Sequence, residues 1–161
     1  MMSTATQQPT AYLDRVNGLF TQIERWSRER DLTSSRYSIQ LNEEAYGVYT
    51  AEGLRLSAAD GTPLGALIPI GASIIGAKGR VDFEGTVDQA ILVDWDIGGP
   101  VYETSIRAGE EEKTTRRPIY RGVDEAGWYW VESRQLARAH RLDERLFWDL
   151  LFLVSDDDLR G

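Results

Sequence analysis

The sequence predicts an α+β fold: a meandering antiparallel sheet of about seven or eight strands flanked by an N-terminal and a C-terminal helix. Apolar residues recur at helical spacing near both ends of the chain, and the stretch between alternates apolar with polar residues, broken by turns bearing glycine and aspartate. With 161 residues, 42% hydrophobic and 27% charged, one domain over 1–161 is expected, with a polar tail at 1–9 and an acidic tail at 156–161. A chain of this size hides roughly 70% of the surface its extended form exposes. It needs no disulfide or metal to hold a core.

Tyr12, Leu13, Val16, Leu19, Phe20, Ile23 and Trp26 fall on one helical stripe, so the first helix runs from near Thr10 to near Arg30. Gly18 lies inside it and weakens it. Residues 33–35 are its exit. From Arg36 the period becomes two, with Tyr37, Ile39 and Leu41 alternating with Ser38, Gln40 and Asn42, as in a strand with one wet face. Val48, Leu54 and Leu56 continue the pattern, and Asp60-Gly61 closes a hairpin. Pro69 interrupts the apolar run 64–75; proline cannot donate to a ladder, so this is an edge strand, a bulged strand or two short ones. Residues 81–84 and 91–96 are the next strands, turned at 85–88, and 101–107 is another. Residues 110–117 read as a charged loop, and 119–123 with 128–131 as a last hairpin. The closing helix spans 144–154, capped by Asp143, with Leu142 and Phe147 placed for a hydrophobic staple.

Asp and Glu total 26 against 18 for Lys and Arg, a net charge of -8. Phosphate backbones repel such a chain unless its cations cluster, which disfavours nucleic acid and suits a basic protein partner. The absence of cysteine and the single histidine, His140, remove thiolate chemistry, Fe–S clusters and multi-histidine metal sites, so no cofactor is expected. Residues 1–10 lack the basic and apolar regions of a signal peptide. The longest apolar stretch, 64–77, is too short and too broken to span a bilayer. The expectation is a cytoplasmic protein without a membrane role.

Three constellations invite a functional reading. Asp82 with Glu84, and Asp94 with Asp96, each project from one face of a strand. Were the strands neighbours, the four carboxylates could converge as a metal-dependent hydrolase site; otherwise they form the wet face of a half-buried sheet. Arg134, Arg138, Arg141 and Arg145 would share a stripe with Trp148 and Phe152 if one helix ran unbroken from Ser133, which would serve nucleic-acid binding. Asp143 would then point into the apolar face, so a break and cap at Asp143 is preferred, with the arginines as surface charges or ion-pair partners. Trp148 and Phe152 extend the apolar arc of Leu146, Phe147, Leu150, Leu151 and Val154 around most of the closing helix. Such a helix is sunk between layers or packed on another chain.

The resulting expectation is a non-enzymatic protein-interaction module: an acidic adaptor, an immunity-type inhibitor or a secretion-type chaperone. It would bind a protein partner, or a second copy of itself, through Trp148, Phe152, Arg134, Arg138, Arg141, Arg145 and its acidic surface. The hydrolase built on Asp82, Glu84, Asp94 and Asp96, and nucleic-acid binding by the arginines, are the alternatives.

Overall fold

A computed structural model describes residues 8–156. The tails expected at 1–9 and 156–161 lie outside the described residues, apart from residues 8, 9 and 156. Helix α1 (Thr10–Arg28) leads into five consecutive strands, β1 (Thr33–Glu43), β2 (Gly47–Ser57), β3 (Pro63–Gly71), β4 (Gly79–Gly85) and β5 (Gln89–Trp95). Strands β6 (Val101–Ala108) and β7 (Glu111–Pro118) follow, then β8 (Gly127–Ser133), β9 (Arg138–Arg141) and helix α2 (Glu144–Ser155). The architecture is α+β: a seven-stranded antiparallel sheet in the order β1-β2-β3-β4-β5-β8-β9, and a separate two-stranded sheet, β6-β7.

Both helices pack on one face of the main sheet. Tyr12, Val16, Phe20, Ile23 and Trp26 of α1 and Phe147, Trp148, Leu150, Leu151 and Val154 of α2 form one core cluster with Leu54, Leu56, Leu67, Val81, Phe83, Ala90 and Leu92. Phe147 is its hub, with its ring centroid 6.0 Å from that of Phe83 and 5.7 Å from that of Trp26. Asp143 caps α2 as its sequence position requires, its Oδ1 accepting from the Leu146 N–H at 2.8 Å. At the other end of α2 the Val154 carbonyl accepts from the N–H groups of Val87 and Asp88, so the β4–β5 turn satisfies a helix terminus that is otherwise orphaned. That docking demands glycine at position 85, where a Cβ would sit 2.2 Å from the Val154 oxygen.

Gly18 is the opposite case. It lies mid-helix, and an added Cβ would meet nothing within 4 Å. Gly18→Ala is therefore expected to stabilise the fold by about 0.5–1 kcal/mol, through helix propensity and a less flexible unfolded chain. Urea unfolding of the two proteins checks this, and a loss of stability would contradict it.

Three expectations change and one open choice is resolved. Residues 33–35 belong to β1 rather than to the helix exit. Residues 111–118 form a strand, not a loop: they pair in register with β6, with Arg116 on Glu103 and Thr114 on Ser105 across the ladder. Residues 119–123 are irregular, and β8 pairs instead with β5 and β9. Pro69 sits in an interior strand whose register shifts between Pro69 and Gly71, the bulged alternative.

Candidate functional site

Strand parity assigns the two faces of the sheet. Val81, Phe83, Ala90 and Leu92 face the helices, so Asp82, Ile91 and Val93 project from the second face. There, Val93, Trp95, Tyr120, Val123 and Tyr129 make a smaller cluster, joined by Ile91 and Val131. It forms because β5 and β8 are neighbours, so the chain between them leaves the sheet and returns. Residues at the root of that excursion tuck back: Tyr120 lies 4.7 Å from Trp95, ring to ring, and Gly98 N–H donates to the Val123 carbonyl at 2.7 Å.

From this root projects the β6–β7 arm, turned at Gly109 with φ of +69°. Every residue of both strands is exposed. Its two faces differ. On one, Glu103 pairs with Arg116 at 3.4 Å, Ser105 bonds Thr114 at 3.3 Å and Arg107 stands opposite Glu112, so polar groups satisfy one another. On the other, Tyr102 and Ile106, 66% and 65% exposed, stand opposite Arg117 and Lys113, with Thr104 opposite Thr115 between them. A groove of about 640 Å³ runs along the second face at the foot of the arm. Ile91, Val93 and Val131 form its floor, Ile75 and Val101 its walls, and Arg134 its rim. Ile75 is fully exposed.

On the helix side, a cleft of about 580 Å³ lies between α1 and the β5–β8 end of the sheet. Arg15, Gly18, Leu19, Gln22 and Trp26 line it from one helical stripe, facing Lys78, Asp94, Trp128, Arg141, Leu142 and Asp143. Asp94 is 1% exposed. The Arg15 Nε–H donates to its carboxylate, and the Lys78 ammonium stands 3.9 Å from it. Burial pushes the Asp94 carboxyl above the usual range despite the opposing pull of those two cations.

The carboxylates do not converge. In the β4–β5 register Asp82 stands opposite Ile91, which puts Asp82 on the second face and Asp94 on the helix face. Asp82 is held by Arg80, at 2.7 Å and 3.0 Å, and Glu84 and Asp96 are exposed. Among the described residues no group of three or more His, Cys, Asp or Glu could hold a metal ion. The arginine stripe is not continuous: the preferred break and cap at Asp143 is present, and β9 also interrupts the run. Arg134 lies in the β8–β9 turn, Arg138 and Arg141 on β9, and Arg145 in the first turn of α2. Arg138 pairs with Glu132 at 3.7 Å and Arg141 with Glu125 at 3.0 Å. Of the four, only Arg134 borders the second-face groove. Trp148 is 4% exposed and belongs to the core, because α2 turns that side toward the end of α1; Phe152 is half-buried. His140 lies near the surface, 2.9 Å from Glu132.

No family model, curated protein or solved structure matches this chain.

Function must therefore be read from the surfaces. Tyr102, Ile106, Lys113 and Arg117 escaped the sequence reading, since only two of the residues on that face of the arm are large and apolar. A legible signal did exist: opposite charges at mirror positions about Gly109, Glu103 with Arg116 and Arg107 with Glu112. That is the cross-strand pairing a hairpin requires.

Proposed function

We propose that the chain is a protein-interaction module that grips a partner protein with the β6–β7 arm and the groove at its foot. The arm carries this reading: a two-stranded hairpin alone in water is only marginally stable, and this one has every residue exposed. A covering partner would supply the missing packing. Tyr102 and Ile106 offer apolar contact, Lys113 and Arg117 a local positive charge on a chain of net charge -8. The matching segment carries apolar side chains and carboxylates. Helix α2 is engaged with its own sheet, which supports placing the contact on the second face, with Arg134 as its contribution from the arginine set. Among the described residues no helix is long and apolar enough to cross a membrane.

Native mass spectrometry of the protein purified gently from its own host tests this. A stoichiometric second protein is expected with the unaltered chain. The exposed double variant Tyr102→Ser, Ile106→Ser should bind it at least tenfold more weakly, about 1.4 kcal/mol, with an unchanged melting temperature. Undiminished binding by the variant, or a bare monomer from the host, would overturn the reading.

A further inference from the structure

We propose that β1 is the surface on which two copies of this chain join, strand to strand, into one continuous antiparallel sheet. The joint stands apart from the arm, with β2, β3 and β4 between β1 and β5, and does not depend on the function proposed there.

The two edges of the main sheet are built differently. A sheet edge presents unpaired N–H and C=O groups, and native proteins blunt it with short strands, free charges, proline or bulges. Strand β9 carries such devices: it is four residues long, Arg138, His140 and Arg141 among them, and its register on β8 shifts between Val131 and Ser133. Strand β1 has no such guard. It runs for 11 residues without proline, glycine or lysine, in unbroken register with β2, and has a neighbour on one side only. Both of its charged side chains are held by the chain itself. The Arg36 guanidinium donates to Glu24 of α1 at 2.8 Å, and the Glu43 carboxylate accepts from the N–H groups of Ala72 and Ser73 at 3.0 and 2.8 Å.

The side chains of β1 identify the occupant. Tyr37, Ile39 and Leu41 share one face of the strand and are half-buried, whereas their β2 partners Gly53, Ala51 and Tyr49 are buried. An apolar stripe thus reaches the edge and stops there half covered. A two-fold axis through Ile39, perpendicular to the sheet, completes it. Ile39 then faces its own copy and Tyr37 faces Leu41, at cross-strand spacings where aromatic and branched side chains stabilise one another. In the alternate positions Ser38 meets Gln40 and Arg36 meets Asn42, so no like charges stand opposite. The register is specific. Centring on Ser38 would set Leu41 against Ser35, and centring on Gln40 would set Tyr37 against Glu43. The joint over residues 35–43 extends about 30 Å at the strand rise. Its main-chain hydrogen bonds supply affinity, and the alternating side chains select a second copy.

Equilibrium sedimentation of the full chain, alone and at micromolar concentrations, tests this. The unaltered protein should sediment as a dimer. Ser38→Lys with Gln40→Lys changes two exposed residues and puts like charges opposite each other on both sides of the two-fold axis. It should raise the dimer dissociation constant by about tenfold or more, with an unchanged far-ultraviolet circular dichroism spectrum. Ser38→Lys with Gln40→Glu differs only at position 40 and sets opposite charges in the same places, so it should keep the dimer. A monomer at every concentration, bare or with only a foreign strand seated on β1, would overturn the proposal. A dimer undiminished by the first double variant would place the contact on another surface, and equal dissociation by both variants would overturn the Ile39-centred register.

Discussion

Trp148→Ala is expected to cost about 3–5 kcal/mol of folding stability, a large share of what a domain this size possesses. The side chain is 4% exposed, its ring packs edge-on against Phe147 at 5.0 Å, and the Arg30 guanidinium covers it at 4.4 Å. Truncation would leave a cavity beside Phe147, the residue on which both helices and β4 converge. Trp148→Phe, which keeps an aromatic ring there, should therefore cost less than half as much. Urea denaturation followed by circular dichroism measures both. A folded Trp148→Ala of unchanged stability would return this residue to the surface and to the interface role its sequence position suggests.

The second large effect is expected at Asp94. Its carboxyl holds its proton to a higher pH in the folded than in the unfolded protein, because burial outweighs the pull of Arg15 and Lys78. Between the two values the folded state binds more protons, so this group's contribution to stability falls as pH rises through that window. Above the window the whole cost of an ionised, buried carboxylate is present. Arg15→Ala removes the nearest compensating charge, which widens the window upward. The expected loss is about 3 kcal/mol at pH 7. The deficit against the unaltered protein should shrink as pH is lowered toward the ordinary carboxylate range, where Asp94 is protonated in both states.

Asp94→Asn removes the charge but keeps the shape, and leaves a guanidinium with solvent access. It should change stability by less than about 1 kcal/mol alone, and should rescue Arg15→Ala in the double variant. A deficit in Arg15→Ala that stays constant between pH 7 and pH 4 would show that packing of the arginine stem, not charge, is what matters.

Local features of the chain were legible wherever a short-range rule operates. The stripe from Tyr12 to Trp26, the cap at Asp143 and the turn at Asp60-Gly61 each depend on residues within a few positions of one another. In that turn Asp60 Oδ1 accepts from the Thr62 N–H at 2.9 Å and Gly61 has φ of +91°. The arm was less legible. Strand β7 contains no large apolar residue, so hydrophobic alternation was silent and only its charges, read against β6, reveal the pairing.

The candidate sites lay further beyond reach. Parity within each strand correctly separated Asp82 from Val81 and Phe83, and Asp94 from Val93 and Trp95. It could not say that the β4–β5 register would turn the two aspartates to opposite faces, because one residue of offset reverses every side chain of a strand. Arg15 and Asp94 meet across 79 positions, and no local pattern encodes such a contact.

The sequence by itself determined the α+β order, the two helices and their boundaries, most of the turns, and the absence of thiol and multi-histidine chemistry. These follow from backbone preferences, periodicity and composition, which act over a few residues or need no structure at all. Only the tertiary structure decided that the acidic pairs part, that Trp148 is core, that the four arginines scatter, and that an arm stands clear of the sheet. Each of those depends on register and on which element covers which face, and both are set by packing between segments distant in the chain.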